Sequence, residues 1–308
     1  MTEKSKETIL IAGGTGLVGN ALVKAIDKKK YDIVLLSRTS KKSENDSIKY
    51  VLWSPSSSTI ETCPAPDYVI NLAGAGIADQ RWTENRKNEL VESRVLSANT
   101  LASFINNLDK KPKAYVSASA VGYYGHSGDE RLTESSPAGD EFMSDCCIAW
   151  ENSANEAGKL CERSVILRIG IVLSTLGGAL PKMLMTKNLG VLNYFGSGNQ
   201  YYPWIHIQDL VNLILTSMES SSFSGIYNAV APDEVTNKGM MVSIKEKLNI
   251  FGLLMPAPVF ALRMVLGEMA NVILNSNRVV SERLPSTGFS FLFENSGEAV
   301  KDLTEREI

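Results

Sequence analysis

A glycine-rich turn near the start of the chain restricts the fold more than any other feature of this sequence. Gly13, Gly16 and Gly19 follow the apolar run Thr8–Ala12 and open an amphipathic segment that begins near Leu17. In a strand-turn-helix unit, the first glycine allows the turn, the second leaves room for a phosphate, and the third lets helix and strand pack closely. The N-terminus of the helix then offers N–H groups to the anion. The stretch predicts a dinucleotide site in preference to a plain turn.

Short runs rich in Val, Ile and Leu recur after this turn, with amphipathic segments between most of them. The runs are TILIAG, DIVLLS, DYVINLAG, AYVSAS and SVILRIG. Such alternation predicts a parallel sheet that is covered by helices on both faces. The predicted fold class is therefore α/β, a Rossmann-type doubly wound parallel sheet with a smaller intercalated α/β C-terminal substrate lobe.

The pattern changes after about Gly177, where glycines and aromatic residues cluster. The later run SGIYNAVAP indicates a strand that returns to the first sheet, and Ala257–Asn275 is typical of one long helix. We therefore expect residues 1–176 to form the nucleotide-binding domain, with return segments near 203–230. Residues 177–308 are expected to form mainly the intercalated substrate-binding lobe.

Composition excludes several classes of protein. The chain has 308 residues, is 44% hydrophobic and carries a net charge of -3, so it lacks the basic surface that nucleic acid requires. Its four cysteines form no CxxC pair and its two histidines lack a ligand partner at metal-site spacing, so no metal is expected. We expect neither nucleic acid nor a metal as a partner.

Neither the charged start nor the longest apolar stretch predicts insertion into a membrane. The charged start, Met1–Thr8, precedes an apolar run that is too short for a signal peptide, and the run Phe251–Leu274 is interrupted by prolines and charged residues. A cytoplasmic protein without a membrane partner is therefore expected. A homodimer is left open.

The end of the second predicted strand indicates which dinucleotide binds. NAD-specific proteins usually place a carboxylate there to bind the ribose 2′-hydroxyl, whereas this sequence has Ser37 and Arg38. A hydroxyl and a cation suit a 2′-phosphate, so NADP(H) is favoured over NAD. The alternative is that Arg38 is only a solvated loop residue.

Several separate motifs resemble those of extended short-chain dehydrogenase/reductases, the family that includes the nucleotide-sugar epimerases. NLAGAGI, SASAVGYYG, PWIHIQD, WENSANEA and LRIGIVLSTLGGALPKM resemble in particular the "epimerase family" branch, which has a C-terminal domain of unknown function, DUF1731. This resemblance covers nearly the whole chain. It implies an epimerase-like fold and NADP binding, without a settled substrate.

The resemblance also implies which residues contact the cofactor. They belong to the glycine turn, the end of the second strand, the loop under the adenosine ribose and the nicotinamide side of the site. The positions are Gly13, Thr15, Gly16, Leu17, Val18, Gly19, Ser37, Arg38, Leu72, Ala73, Gly74 and Arg168.

The catalytic pair of typical family members is missing. They carry Tyr-x-x-x-Lys on one helix face, where Lys lowers the pKa of the Tyr that moves a proton. None of the ten tyrosines has Lys four residues on, and Cys147 and Glu151 stand in the expected place. A glutamate near the thiol raises the thiol pKa where a lysine would lower it. Arg94 stands where the family has a helical Asn.

Three residues remain as catalytic candidates. Ser119 lies at the position of the family's catalytic Ser, and Tyr123 and Tyr124 follow it closely. Either tyrosine is a candidate replacement acid. The alternatives are that the tyrosines are pocket walls and that Ser119 only makes a hydrogen bond at the end of its strand.

Other polar residues are candidates for substrate binding. Arg81 and Arg94, with Lys87 between them, suit an anionic group such as a nucleotide diphosphate, unless they form only a solvated basic face. His206 is expected either at the substrate edge or in a structural bond to Asp209. The predicted function is reversible hydride transfer on a small polar substrate such as a nucleotide sugar. The enzyme would be either an oxidoreductase or an isomerase of the epimerase type. The alternative is an NADP-binding regulator that acts through a protein partner.

Overall fold

The computed structural model describes residues 6–305, so the first five residues of the charged start lie outside the described part. The strands in this range come mostly from the apolar runs of the sequence. They are β1 (Glu7–Ala12), β2 (Tyr31–Ser37), β3 (Ile48–Ser54), β4 (Thr59–Ile60), β5 (Tyr68–Asn71), β6 (Ala114–Ala120), β7 (Arg131–Leu132), β8 (Ser164–Ile169), β9 (Ile171–Leu173), β10 (Val191–Phe195), β11 (Trp204–His206), β12 (Gly225–Ala229), β13 (Leu253–Ala257) and β14 (Arg278–Val279).

The helices lie between these strands. They are α1 (Leu17–Ala25), α2 (Glu84–Asn106), α3 (Phe142–Gly158), α4 (Ala179–Met183), α5 (Ile207–Glu219), α6 (Asn237–Lys247), α7 (Val259–Leu266), α8 (Asn271–Leu274) and α9 (Ser296–Glu305). None of the helices in residues 6–305 is both long enough and apolar enough to cross a membrane.

Eight of the strands form one sheet in the order β12-β8-β6-β5-β1-β2-β3-β4. Neighbouring strands are parallel except for the edge strand β4, which is antiparallel to β3. Successive residues of β1 point to opposite faces, so Ile9 and Ile11 join one buried cluster while Leu10 and Ala12 join another. The predicted doubly wound parallel sheet is confirmed.

The strand order reverses between β1 and β5, because the chain extends the sheet first through β2 and β3 and then through β6 and β8. Ligands of such sheets bind beyond the carboxyl ends of the strands at this point of reversal. The glycine turn follows β1 and residues 72–74 follow β5 at this edge. The topology therefore brings two of the predicted cofactor segments together.

The C-terminal part of the chain surrounds a third buried cluster, which includes Leu192, Trp204 and Met240. The run SGIYNAVAP forms β12 and returns to the main sheet beside β8, as predicted. The prediction of one long helix over Ala257–Asn275 is wrong. Ala257 ends β13, and α7 ends before Gly267, whose φ of +62° lies in the left-handed region and stops the helix.

Arg163 joins the edge of the sheet to the end of α5. Its guanidinium donates to the carbonyl oxygens of Ser217 (2.6 Å), Met218 (2.7 Å) and Phe223 (2.9 Å). The last carbonyls of a helix have no partner within the helix and carry partial negative charge. One cation therefore satisfies two of the last carbonyls of α5 and one carbonyl of the segment that follows it.

Arg163→Met is expected to lower the free energy of unfolding by about 2 kcal/mol, because three carbonyls lose a charged donor. Urea unfolding followed by circular dichroism measures the change. Arg263→Met, on the exposed surface of α7, is the matched control and should leave stability unchanged. Equal stability of the two variants would contradict the bridging role of Arg163.

Candidate functional site

The glycine turn brings β1 and β5 into close contact. Gly13 has a φ of +81°, and a Cβ placed on it would lie 2.5 Å from the carbonyl carbon of Leu72 and 2.8 Å from the nitrogen of Ala73. A Cβ on Gly19 would lie 2.2 Å from the Gly13 oxygen. All three distances are far below van der Waals contact. No other residue fits at these two positions without moving the backbone.

Gly16 differs from the other two glycines. A Cβ on this exposed residue would meet only the Gly13 oxygen, at 3.4 Å. Its N–H donates to the Gly13 carbonyl (3.1 Å), and the first helical bond runs from Asn20 N to Gly16 O (2.8 Å). The N–H groups of Leu17 and Val18 precede that bond and are typical donors to an anion at a helix N-terminus. The turn therefore fits a pyrophosphate beside Gly16.

Gly19→Ala is expected to destabilise the fold, because the added methyl overlaps the Gly13 carbonyl. Gly16→Ala should fold with nearly wild-type stability and lose dinucleotide binding, because its methyl occupies only the space beside the turn. Thermal unfolding and nucleotide-induced thermal shifts separate the two effects. Strong nucleotide binding by Gly16→Ala would contradict the assigned cradle.

The end of β2 holds one buried and one exposed candidate. Ser37 is buried, and its hydroxyl donates to the Thr39 carbonyl (2.7 Å), so it shapes the turn after the strand. Arg38 is exposed and forms no ion pair with any residue between 6 and 305. Its guanidinium is thus available to an anion outside the fold. The contact with a 2′-phosphate stays a prediction.

The loop after β5 is held from below by Asn71, which the sequence reasoning did not single out. The buried Asn71 side chain accepts from the Ala73 N–H (3.2 Å) and donates to Tyr115 (3.2 Å) and Ser97 (3.4 Å). Leu72 N donates to the Ala12 carbonyl (2.9 Å). The available signal was an Asn at the end of a buried apolar strand, where its amide needs partners.

A buried ion pair connects the ends of β6 and β8 with α3. Arg168 Nε and Nη2 donate to the two carboxylate oxygens of Glu151 at 2.8 and 2.9 Å. Ser119 Oγ donates to the same carboxylate at 2.7 Å. All three residues are at least nine-tenths buried. Arg168 was predicted on the nicotinamide side of the site, and its guanidinium charge is neutralised here by Glu151.

The two tyrosines have different environments. The buried Tyr124 hydroxyl accepts from Arg168 Nη1 (2.9 Å) and donates to Asn228 Oδ1 (2.7 Å). Burial raises the pKa of Tyr124, although Arg168 opposes this rise. Tyr123 is half-buried, its ring lies 3.4 Å from Arg168 Cζ, and its hydroxyl has no hydrogen-bond partner within the described range. Of the two, Tyr123 has the hydroxyl available to a ligand.

Cys147 and Glu151 do not rebuild the missing pair. Cys147 is completely buried, with its sulfur 3.7 Å from the Ala120 carbonyl, and burial raises its thiol pKa to about 12. A thiol of that pKa stays protonated near neutral pH. Glu151 is already bound to Arg168 and Ser119. The usual proton-transfer residues are therefore absent from these positions in the structure as well.

The basic residues on α2 and just before it do not form one open face. Lys87 pairs with Glu268 (2.5 Å), and Arg94 is buried beneath the loop after β5. Arg81 is exposed, and its guanidinium lies beside Gly267, where an added Cβ would be 2.9 Å from Arg81 Nε. Arg81 alone of the three combines exposure with the absence of a carboxylate partner in the described residues.

His206 lies in the packed interior. It is fully buried, accepts from Gln208 N (3.1 Å) at the start of α5, and packs 4.0 Å from the Phe293 ring. Its Nε2 lies 3.4 Å from Asp302. Asp209, the expected partner, accepts from the backbone of the segment before α9. Such burial favours the structural interpretation over the substrate edge.

A parallel sheet with a glycine cradle at its point of reversal defines a Rossmann-type nucleotide-binding protein. The family model for the NAD dependent epimerase/dehydratase family matches residues 9–229, and the model of DUF1731, a domain of unknown function, matches residues 257–303. The chain belongs to this NAD(P)-dependent family. The predicted resemblance to epimerase family proteins is confirmed.

Relatives of known sequence or structure agree with this assignment. An epimerase family protein of Staphylococcus aureus is 36% identical over 305 residues, which is 96% of this chain and 98% of the relative. The crystal structure of a human epimerase family protein with NADPH has 31% identity and a TM-score of 0.88, covering 97% of this chain and 99% of that one. A nucleoside-diphosphate sugar epimerase from Corynebacterium glutamicum has 30% identity and a TM-score of 0.75, covering 97% and 58%.

Proposed function

We propose that the protein binds NADP(H) and transfers hydride reversibly at a carbinol carbon of a small polar substrate. The observation that carries this proposal is the position of the Ser119, Glu151 and Arg168 network beside Tyr123, at the same sheet edge as the glycine cradle. When bound, the dinucleotide supplies the hydride acceptor or donor. The polypeptide must then bind the substrate oxygen and move its proton.

The residues at the cradle and at the end of β2 fit NADP. Gly16 leaves space for the pyrophosphate, and the exposed Arg38 offers a cation with no carboxylate partner among residues 6–305. Arginine binds phosphate through two parallel N–H donors, and this sequence has no acidic residue at the end of β2 to repel a 2′-phosphate. The NADPH in the crystal structure of the human relative supports the same choice.

Ser119 and Tyr123 have different roles at the substrate oxygen. The single hydroxyl hydrogen of Ser119 is directed to the Glu151 carboxylate, so its oxygen lone pairs are left to accept from a substrate hydroxyl. Tyr123 donates or accepts the proton that accompanies hydride transfer. Tyr124 supports Arg168 from below instead of contacting the substrate.

The substrate class is a polar sugar derivative with an anionic group, such as a nucleotide sugar. Arg81 is exposed, lies beside Gly267, and suits a phosphate. The name of the relative from Corynebacterium glutamicum, a nucleoside-diphosphate sugar epimerase, supports this class.

A regulatory function is the second candidate, because Cys147 and Glu151 are both buried where the family's Tyr and Lys are expected. In that case nucleotide occupancy would control a protein partner. A partner that dissociates when NADP⁺ is exchanged for NADPH would support this candidate. Steady turnover of a defined substrate would exclude it as the sole role.

Arg38→Ala is expected to weaken NADP⁺ binding by roughly 10- to 100-fold and to leave NAD⁺ binding unchanged, because one charged phosphate contact is lost. Isothermal titration with each nucleotide measures both affinities, and native mass spectrometry identifies what the purified protein retains. Lys42→Ala, which removes another exposed cation from the same segment, is the control. Equal wild-type affinity for the two nucleotides would contradict the choice of NADP.

Tyr123→Phe and Tyr124→Phe should affect different properties, the first hydride transfer and the second stability. Tyr123→Phe should lower single-turnover hydride transfer by about 10²- to 10⁴-fold while leaving stability unchanged, because it removes the acid. Tyr124→Phe should instead lower stability by about 1–3 kcal/mol, because Asn228 loses its donor. Substrate retained through purification serves as the probe. Undiminished turnover by Tyr123→Phe would refute the assigned acid.

A further inference from the structure

Arg94 is a buried cation without a counter-charge. Its side chain is 7% exposed, and its guanidinium donates to the carbonyl oxygens of Leu90 (2.8 Å) and Ala75 (3.1 Å). Its Nε finds no hydrogen-bond partner, and no carboxylate within residues 6–305 forms an ion pair with it. Burial lowers the pKa of Arg94. Since an arginine stays protonated in proteins, the buried charge persists.

Arg86, two turns earlier on α2, shows what an ordinary structural arginine looks like at this place. It also donates to the loop after β5, at the Gly76 carbonyl (2.5 Å). Its charge, however, is met by Glu89 (2.6 Å) and lies 3.9 Å from Asp79. Both arginines hold the same loop, but only Arg94 does so without a carboxylate. Loop attachment alone therefore does not explain the uncompensated charge, which is costly to bury.

The position of Arg94 indicates what the charge serves. A Cβ added to Gly74 would lie 3.2 Å from Arg94 Cγ and Cζ, so the guanidinium lies directly under the exposed Gly74 backbone. Gly74 belongs to the predicted cofactor loop. On its other side the guanidinium lies 4.8 Å from the Trp150 ring. The charge therefore lies within a few ångströms of the Gly74 backbone.

Next to Arg94, α3 has no cation at the two positions of the missing Tyr-x-x-x-Lys pair. The small Cys147 occupies one of the two α3 positions expected for the family's Tyr-x-x-x-Lys pair, and its burial keeps it neutral. Arg94 therefore lies against α3 at Trp150, whereas Glu151, at the position of the usual Lys, is bound to Arg168.

We propose that Arg94 places a positive charge beneath the predicted cofactor loop of residues 72–76, and that the anionic dinucleotide compensates it. This inference rests on the proposed binding of NADP(H). Arg94 is a positioning residue: it fixes the loop of residues 72–76 through the Ala75 carbonyl, and its field attracts the negative oxygens of the bound nucleotide. In the free protein the charge remains uncompensated, so binding relieves a cost that the fold carries.

Titration of NADPH fluorescence compares wild type with Arg94→Gln, Arg94→Lys and Arg86→Gln. Glutamine is shorter than arginine, so the first and last variants each remove one charge and one set of terminal donors from the same loop support. Arg94→Gln is expected to weaken NADPH binding at least tenfold, since a nearby unit charge acts across little solvent. Arg94→Lys and Arg86→Gln should stay within about threefold of wild type.

Two results would overturn the proposal. The first is wild-type affinity in Arg94→Gln, and the second is an equal loss in Arg86→Gln, which would assign the effect to loop support alone. Arg94→Met is measured in the same way should Arg94→Gln not fold. If wild type itself binds neither NADPH nor NADP⁺, the proposed function fails, and that outcome is distinct from both.

Discussion

The arrangement of the candidate site depends on the buried ion pair between Glu151 and Arg168. It fixes α3 to β8 by two hydrogen bonds and holds Ser119 of β6 by a third. Removing water from two charges is costly, and the bidentate geometry with its additional partners offsets that cost. Loss of one partner would leave the other charge buried, at about 3–5 kcal/mol. Three elements of the sheet edge therefore keep their positions through one carboxylate.

The same pair decides which groups are left for chemistry. Glu151 neutralises Arg168 and takes the hydrogen of Ser119, while Tyr124 is held between Arg168 and Asn228. Tyr123 lies outside this closed set of bonds, with its ring against the guanidinium. Of these polar residues, only the Tyr123 hydroxyl and the lone pairs of Ser119 are left among the described residues to interact with a substrate. The site differs from the usual Tyr and Lys arrangement in geometry as well as in sequence.

Local patterns predicted the fold and the close packing of the glycine turn. Gly13 and Gly19 are demanded by contacts within the first strand-turn-helix unit and by the adjacent strand, so their spacing carries the information. The burial of Arg94 and His206 was not predictable in this way, because it depends on which distant segments cover them. Arg94 lies under the loop after β5, and His206 packs on Phe293. The same limit applies to Ala257–Asn275, where one glycine conformation at Gly267 outweighs the helical pattern.

The buried charges at the sheet edge leave one cation without a carboxylate, and a bound anion would compensate that charge. Arg94, Arg168 and Glu151 are all buried there, and only one of the two cations has a carboxylate. The Arg94 charge lies under Gly74 and 4.8 Å from the Trp150 ring. Because Arg94 itself donates to the Ala75 carbonyl, its charge keeps a fixed position relative to the loop of residues 72–76, which Arg86 also contacts at the Gly76 carbonyl.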